Sequence, residues 1–371
     1  MDGKESSSEF IRVVHIVPSP LGGGAERLVR DMVALGALFD VTASAVYFSQ
    51  SVHGGVVVLD GEKEVCLGLS SPRDPRAIYK LRRYLKNFDS NRLIIHCHLT
   101  WPFYYTPLAI SGMKAALVYT EHNTYNRRRS IPALRLLERQ IYRKYEKVFC
   151  ISEGVRNALE EWVGPNTVST SVVLNGVKLL SYVRRRAPAQ RGWKLVSVGS
   201  LTYRKGLDRA IDTIALLRNE VESYVIVGEG PERTRLERLI RSHGLERVVK
   251  LVGWQNNVES YLHDAHLQLI TSRWEGFGLV AVEGMSTGLP VMASDLPGLR
   301  EVVGDSLGYR ALVRGDSEAW ARAIREFFSG RARYSEFSEA VRRRAEGFSL
   351  EIMMGRYVKE YEEILSKRGR K

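Results

Sequence analysis

Cysteine is scarce in these 371 residues: there are three, Cys66, Cys97 and Cys150, each inside an apolar run. An odd number without regular spacing argues against a disulfide framework and a zinc site. It reads as reduced thiols packed in the core of a cytosolic protein. Long apolar runs are missing too. No stretch approaches the roughly 20 residues of a membrane-spanning helix, and the opening MDGKESSSEF is polar and acidic, unlike a signal peptide. Negative charge is in deficit: 42 Asp and Glu face 55 Lys and Arg, a net +13. The excess is spread out. Up to residue 180 there are 23 basic and 17 acidic residues (+6), and beyond it 32 and 25 (+7). A chain that is basic throughout favours an acidic partner, which is a phosphate-bearing ligand, an anionic lipid or a nucleic acid.

What is present suits two soluble domains: 371 residues, 44% hydrophobic and 26% charged. Apolar, β-branched runs predict strands at 11–17, 41–47, 93–98, 117–121, 147–151 and 171–174, then at 193–199, 224–228, 248–252, 267–271 and 289–293. Amphipathic stretches predict helices at 25–35, 74–86, 132–145, 153–162, 207–218, 231–243, 278–287, 318–328 and 350–365. This alternation implies an α/β fold with parallel sheets covered by helices on both faces. The pattern restarts at residue 193, and the basic, aperiodic Lys178–Gly192 reads as a linker. The expected domains are 1–178 and 179–349, with 350–371 a C-terminal helix crossing back to the first.

Several motifs sit where such sheets bind ligands, at the carboxyl ends of strands. The loop PSPLGGGAE places Gly23 and Gly24 at the start of a helix, where free N–H groups suit a phosphate. It matches neither GxGxxG nor GxxxxGK[ST]. His96 and His98 share one face of a strand, and His122 follows the next strand in YTEHN. Cys97 faces the other way, so no metal site is expected. His122 is the strongest candidate for chemistry, and His96 reads as a hydrogen-bonded core histidine. Residues 127–147 carry eight Lys and Arg against Glu138 and Glu146, with Leu134, Leu137, Ile141 and Tyr145 at helical spacing. This helix either lies on an anionic membrane or covers a buried apolar stripe with a solvated basic face, the commoner arrangement. With His98, residues Arg127, Arg128 and Arg129 are candidates for an acceptor or membrane patch.

In the second half, Gly199 and the cations Arg204 and Lys205 follow one strand, and Gly228-Glu229-Gly230-Pro231 follows the next. Two cations beside a glycine suit a diphosphate. Glu275 then falls in a loop and Glu283 inside a helix starting near Gly278, so the two carboxylates grip different parts of one extended ligand. Hydroxyl-rich groups are suitable donors to them.

In order along the chain, GSLTYRKG, VGEGPERTRLERL, SRWEGFG and GLPVMASDLPGLREVV, with Glu275 and Glu283 in E-x7-E spacing, resemble the retaining glycosyltransferases of the GT-B fold, family 4. The resemblance spans most of the chain and is strongest over 196–303. It implies two Rossmann-like doubly wound domains facing a central cleft, an acceptor domain first and a nucleotide-sugar donor domain second. It implies that Glu275 holds donor-sugar hydroxyls, Glu283 the ribose, and Arg204 and Lys205 the diphosphate. Gly276, Phe277, Gly278 and Leu279 would offer backbone contacts, and Gly23 and Gly24 would face the diphosphate or acceptor. His122 would sit near the reacting carbon. The implied donor is a UDP- or GDP-linked sugar, with no metal and no other cofactor. The acceptor expectation comes from the basic helix instead, which favours a lipid-linked glycan or polysaccharide precursor at the inner face of the cytoplasmic membrane. Two positions depart from the family: Lys178 after Asn175-Gly176-Val177, and His266 after Ala265, each where Asp is usual. An epimerase or phosphorylase of the same fold is the rival reading. Nucleic-acid binding is disfavoured, because the cations are dispersed and no binding module is recognisable.

Overall fold

The computed structural model describes residues 10–20, 23–50, 59–88, 91–304, 307–309 and 311–369. The chain divides into two compact units, residues 1–176 with 350–371, and residues 177–349.

The first unit runs β1 (Ile11–Val17), α1 (Gly24–Leu35), β2 (Val41–Tyr47), β3 (Glu64–Cys66), α2 (Arg76–Leu85), β4 (Leu93–His98), α3 (Thr100–Ala109), β5 (Ala116–Glu121), α4 (Pro132–Tyr142), β6 (Lys147–Cys150), α5 (Glu153–Val163) and β7 (Thr170–Val172). The second runs β8 (Trp193–Val198), α6 (Leu207–Leu216), β9 (Val221–Val227), α7 (Arg233–Ser242), β10 (Val249–Gly253), α8 (Glu259–Asp264), β11 (Leu267–Ile270), α9 (Leu279–Ser286), β12 (Val291–Ser294), α10 (Pro297–Val303), β13 (Leu312–Val313), α11 (Ser317–Ser329) and α12 (Tyr334–Glu346). The last helix, α13 (Leu350–Arg368), returns to the first unit. There Met353, Met354, Tyr357 and Tyr361 join the core of β1, β2 and α1.

Both sheets are parallel, in the orders β3-β2-β1-β4-β5-β6-β7 and β10-β9-β8-β11-β12-β13. Their central strands are buried on both faces, and the polar residues they carry, His96, His98, Thr120, Glu121 and Gln268, are hydrogen-bonded inside. Each sheet reverses its winding once, at β1/β4 and at β8/β11. The loops leaving those strand pairs diverge and open a crevice at their carboxyl ends.

Six elements were not expected from the sequence: β3, α3, α8, α10, β13 and α12. Helix α3, TWPFYYTPLA, has Pro107 in its interior. That proline lacks the N–H that would bond the Phe103 carbonyl, and the Tyr145 hydroxyl donates to this carbonyl instead, at 2.8 Å. Lys178–Gly192 belongs to the second unit, where the buried Arg185 guanidinium donates to the carbonyls of Leu262 and Ala265 and to the Thr287 hydroxyl. Cys97 and Cys150 are buried free thiols, whereas Cys66 is half-exposed.

Candidate functional site

In the second unit the loops leaving the β8/β11 switch point carry Arg204, Lys205 and Glu275. Lys205 ends a short turn, Tyr203–Lys205. Its Nζ donates to Glu275 Oε2 at 2.7 Å, and Ser272 Oγ donates to the same oxygen at 3.2 Å. The two charged side chains are only 12% and 10% exposed. Burial pushes the Glu275 carboxyl upward, but Lys205 and Arg204 outweigh it and hold the group below its ordinary range. A charged acceptor is thus fixed at the ligand-binding edge of the sheet.

Arg273 fastens the Lys205 turn to this loop. It donates to the Tyr203 carbonyl at 2.8 Å, grips both oxygens of Asp208 at 2.9 and 2.7 Å, and lies 4.0 Å from the Tyr203 ring centroid. The sequence reading missed Arg273, Asp208 and Ser272. The Arg273–Asp208 pairing spans 65 residues and leaves no local signal.

Gly278 caps α9 at φ +102, a conformation that favours glycine. Within α9, Ala281, Val282, Gly284, Met285 and Ser286 are buried, while Leu279, Val280 and Glu283 form the accessible face. Phe277 is buried, its ring packed edge-on against Phe348. Gly228 and Gly230 have a packing role: a Cβ on Gly228 would stand 2.0 Å from the Gly199 carbonyl oxygen, and one on Gly230 would stand 2.4 Å from that of Leu201. Past them, the Gly253 carbonyl accepts the Gly228 N–H at 2.8 Å. The next residue, Trp254, is 76% exposed. Its sequence does not distinguish it from a core tryptophan.

In the first unit the β1/β4 register sets His15 beside His96. His15 Nδ1 lies 3.0 Å from His98 Nε2, and His98 Nδ1 lies 3.3 Å from His122 Nε2. The three imidazoles form a buried chain that ends on His122. The sequence reading missed His15, whose one signal was a lone histidine in an apolar strand. His96 is a core histidine: its two ring nitrogens meet the Tyr361 and Thr120 hydroxyls, each at 2.7 Å. Ring nitrogens of His15, His96 and His98 lie within 4.8 Å of one another, yet a ligating His96 would have to give up one of these bonds. Leu99, directly after His98, holds φ +65, a strained position for a branched side chain at the switch point.

Gly22 lies outside the described residues. Gly23 caps α1, and its N–H bonds Glu26 Oε2 at 2.9 Å, so this helix start already faces a carboxylate. The expected patch of His98, Arg128 and Arg129 is not a surface. His98 is buried, Arg129 pairs with the buried Glu121 at 3.1 Å, and Arg128 pairs with the buried Glu138 at 3.0 Å. Acids inside the unit need cations, and these arginines supply them. The Arg127 side chain lies outside what the structure describes.

These groups predict an acid response in two stages. Burial lowers His15 to about 3 and His122 to about 4, and holds His96 and His98 well below their ordinary value. Their unfolded forms bind protons below about pH 6.5, so the stability they contribute is present above that pH and is lost as pH falls. Glu275 and Asp208 are also held low, but their contribution is lost only below the unfolded carboxylate value of about 4. Urea unfolding across this range should show the first unit, with four such histidines, weakening more between about pH 6.5 and 4 than the second, where burial lowers His266. The reverse order would contradict the buried, neutral histidines.

Comparison with known proteins gives two family matches: "Glycosyltransferase Family 4" over residues 22–179 and "Glycosyl transferases group 1" over 183–344. A glycogen synthase of Mycobacterium tuberculosis is 28% identical over 265 residues, 68% of this chain and 64% of the relative. The chain therefore spans less than two thirds of that relative's length. A GDP-mannose-dependent alpha-(1-6)-phosphatidylinositol dimannoside mannosyltransferase of the same species is 32% identical over 55% of this chain and 54% of its own. Among solved structures, Anabaena HepE in complex with UDP and glucose superposes with a TM-score of 0.80 at 19% identity, covering 95% of this chain and 100% of the other.

Proposed function

The chain belongs to the family-4 type of GT-B glycosyltransferases, and from that premise we propose that it moves a hexose or N-acetylhexosamine from a nucleotide-diphosphate sugar, with retention, to a hydroxyl of a lipid-linked glycan or polysaccharide precursor. The observation that carries the reading is the buried Lys205–Glu275 pair at the β8/β11 switch point. Glu275 accepts hydrogen bonds from the sugar hydroxyls, and Glu283, on the accessible face of α9, takes those of the ribose. Arg204, Lys205 and the N–H groups at Gly278 receive the diphosphate. Lys205 touches both, so it couples the seating of the sugar to that of the leaving group.

The anomeric bond breaks through an oxocarbenium-like state. The fixed cations stabilise the departing diphosphate, which takes the proton of the attacking hydroxyl. The chain's own cations neutralise the diphosphate, so the reading needs no metal ion. His122 is required for turnover in neutral form. Relatives support the choice of ligands: one is named for GDP-mannose and a phosphatidylinositol glycan, and one neighbour holds UDP and glucose. The enzyme would work in the cytoplasm, at the inner face of the membrane.

Thermal unfolding with UDP, GDP and ADP tests the donor assignment. At a hundred times its dissociation constant the correct nucleotide stabilises the second unit by about 2.7 kcal/mol. If none of the three shifts that transition, the donor site is wrongly assigned.

A further inference from the structure

Helix α4 buries its acid and exposes its leucines. Glu138 is fully buried, paired with Arg128 at 3.0 Å, accepting from Trp162 Nε1 at 2.8 Å and from the Tyr104 hydroxyl. Tyr142, one turn later, is buried as well. These residues fix the inner face, so helical periodicity turns Leu136, Leu137 and Gln140 outward, with Arg143 and Lys144 beyond the helix end. Leu136 is 72% exposed, and Leu137 and the preceding Ile131 are each 51% exposed. Of the stripe Leu134, Leu137, Ile141 and Tyr145, Tyr145 alone is buried, and Leu134 and Ile141 are only half-buried. On neighbouring α3, Leu108 stands one turn from Tyr104 and is 61% exposed. Arg143 and Lys144 are exposed, and Glu138 is the one acid between residues 131 and 145.

A surface of leucines and cations whose one acid within the helix is buried, and whose nearest following acid, Glu146, is paired with Arg368, is complementary to a layer of anions over hydrocarbon. It does not suit a second copy, which would set like charges face to face in a chain of net charge +13. Among the described residues no helix is long and apolar enough to cross a membrane, so docking at the surface is the available mode. We propose that the outer face of α4 docks on an anionic bilayer: Ile131, Leu136 and Leu137 enter the apolar boundary while Arg143 and Lys144 stay with the lipid phosphates. The inference deepens the lipid-acceptor reading above and rests on it, since an enzyme must reach an acceptor held in a bilayer.

The test sediments the full chain with vesicles of phosphatidylcholine, with and without phosphatidylglycerol, and measures the thermal shift with UDP and GDP on the same proteins. Binding is expected only with phosphatidylglycerol, weakening as salt rises. The pair Leu136→Gln with Leu137→Gln, and the pair Arg143→Ser with Lys144→Ser, should each weaken it about tenfold or more, leaving helix content and the nucleotide shift unchanged. No vesicle binding, or equal binding to neutral vesicles, overturns the proposal. So does a native dimer that the leucine pair dissociates, because a second copy would then cover the face. A nucleotide shift without vesicle binding removes the docking face alone. Vesicle binding without any nucleotide shift supports the docking face and removes the donor reading.

Discussion

Replacing Glu275 with alanine is expected to abolish sugar transfer and, separately, to loosen the second unit. The stability effect follows from the ion pair. Lys205 would be left buried without a counter-ion, which costs about 3–5 kcal/mol. For a unit of this size, at roughly 2–4 °C per kcal/mol, its transition should fall by about 6–20 °C. The catalytic effect has another origin: the carboxylate that accepts the sugar's hydroxyls is gone, and a loss of at least about a hundredfold is the scale for one preorganised polar group. The two effects are separable. Replacing both partners, Lys205→Met with Glu275→Leu, removes both charges and should recover most of the stability without recovering transfer. Calorimetry and a transfer assay on the three proteins decide it. Transfer regained in the double variant would take Glu275 out of the chemistry. An undisturbed transition in the single variant would take the pair out of the structure.

The first unit has its own vulnerable acid. Glu138→Ala should lower that unit's transition by about 10 °C or more, because a buried Arg128 loses its partner (about 3–5 kcal/mol) and two neutral donors, Tyr104 and Trp162, lose an acceptor at about 1–3 kcal/mol each, not additively. Glu138→Gln keeps an acceptor for the neutral donors and should cost less. Leu136→Gln, two residues away and exposed, should move stability by no more than about 0.5 kcal/mol. Calorimetric transitions of the three variants order these effects. A harmless Glu138→Ala with a damaging Leu136→Gln would mean that α4 faces the other way, and the membrane-docking face would go with it.

Much of the molecule was legible locally. Strands β1, β2 and β4 span the stretches expected for them, because apolar and β-branched residues fill most of their buried positions. Arg204, Lys205 and Glu275 could be singled out from the sequence because each lies in a loop that follows a strand, and Glu283 because it lies in the helix after such a loop. Helix α3 was not found, because the partner of its proline-orphaned carbonyl is Tyr145, in another element. The face of α4 was left open for a similar reason. Leucine spacing alone does not say whether Leu134, Leu137 and Ile141 face the core or the surface. Burying them is worth less than pairing Glu138 with Arg128, Tyr104 and Trp162, and none of those partners belongs to the helix.

The sequence by itself therefore determined the alternation of strands and helices, the two-domain α/β class and the family. The first two depend on residues within one turn or one strand of each other, and the family on short motifs in a fixed order along the chain. Only the tertiary structure decided that Lys205 bonds Glu275, that Arg273 holds their loops together through Asp208, that His15 joins His98 and His122, and that Arg128 and Arg129 face inward. Sheet order brings these partners together across tens of residues, and the need of a buried charge for its counter-ion selects among them.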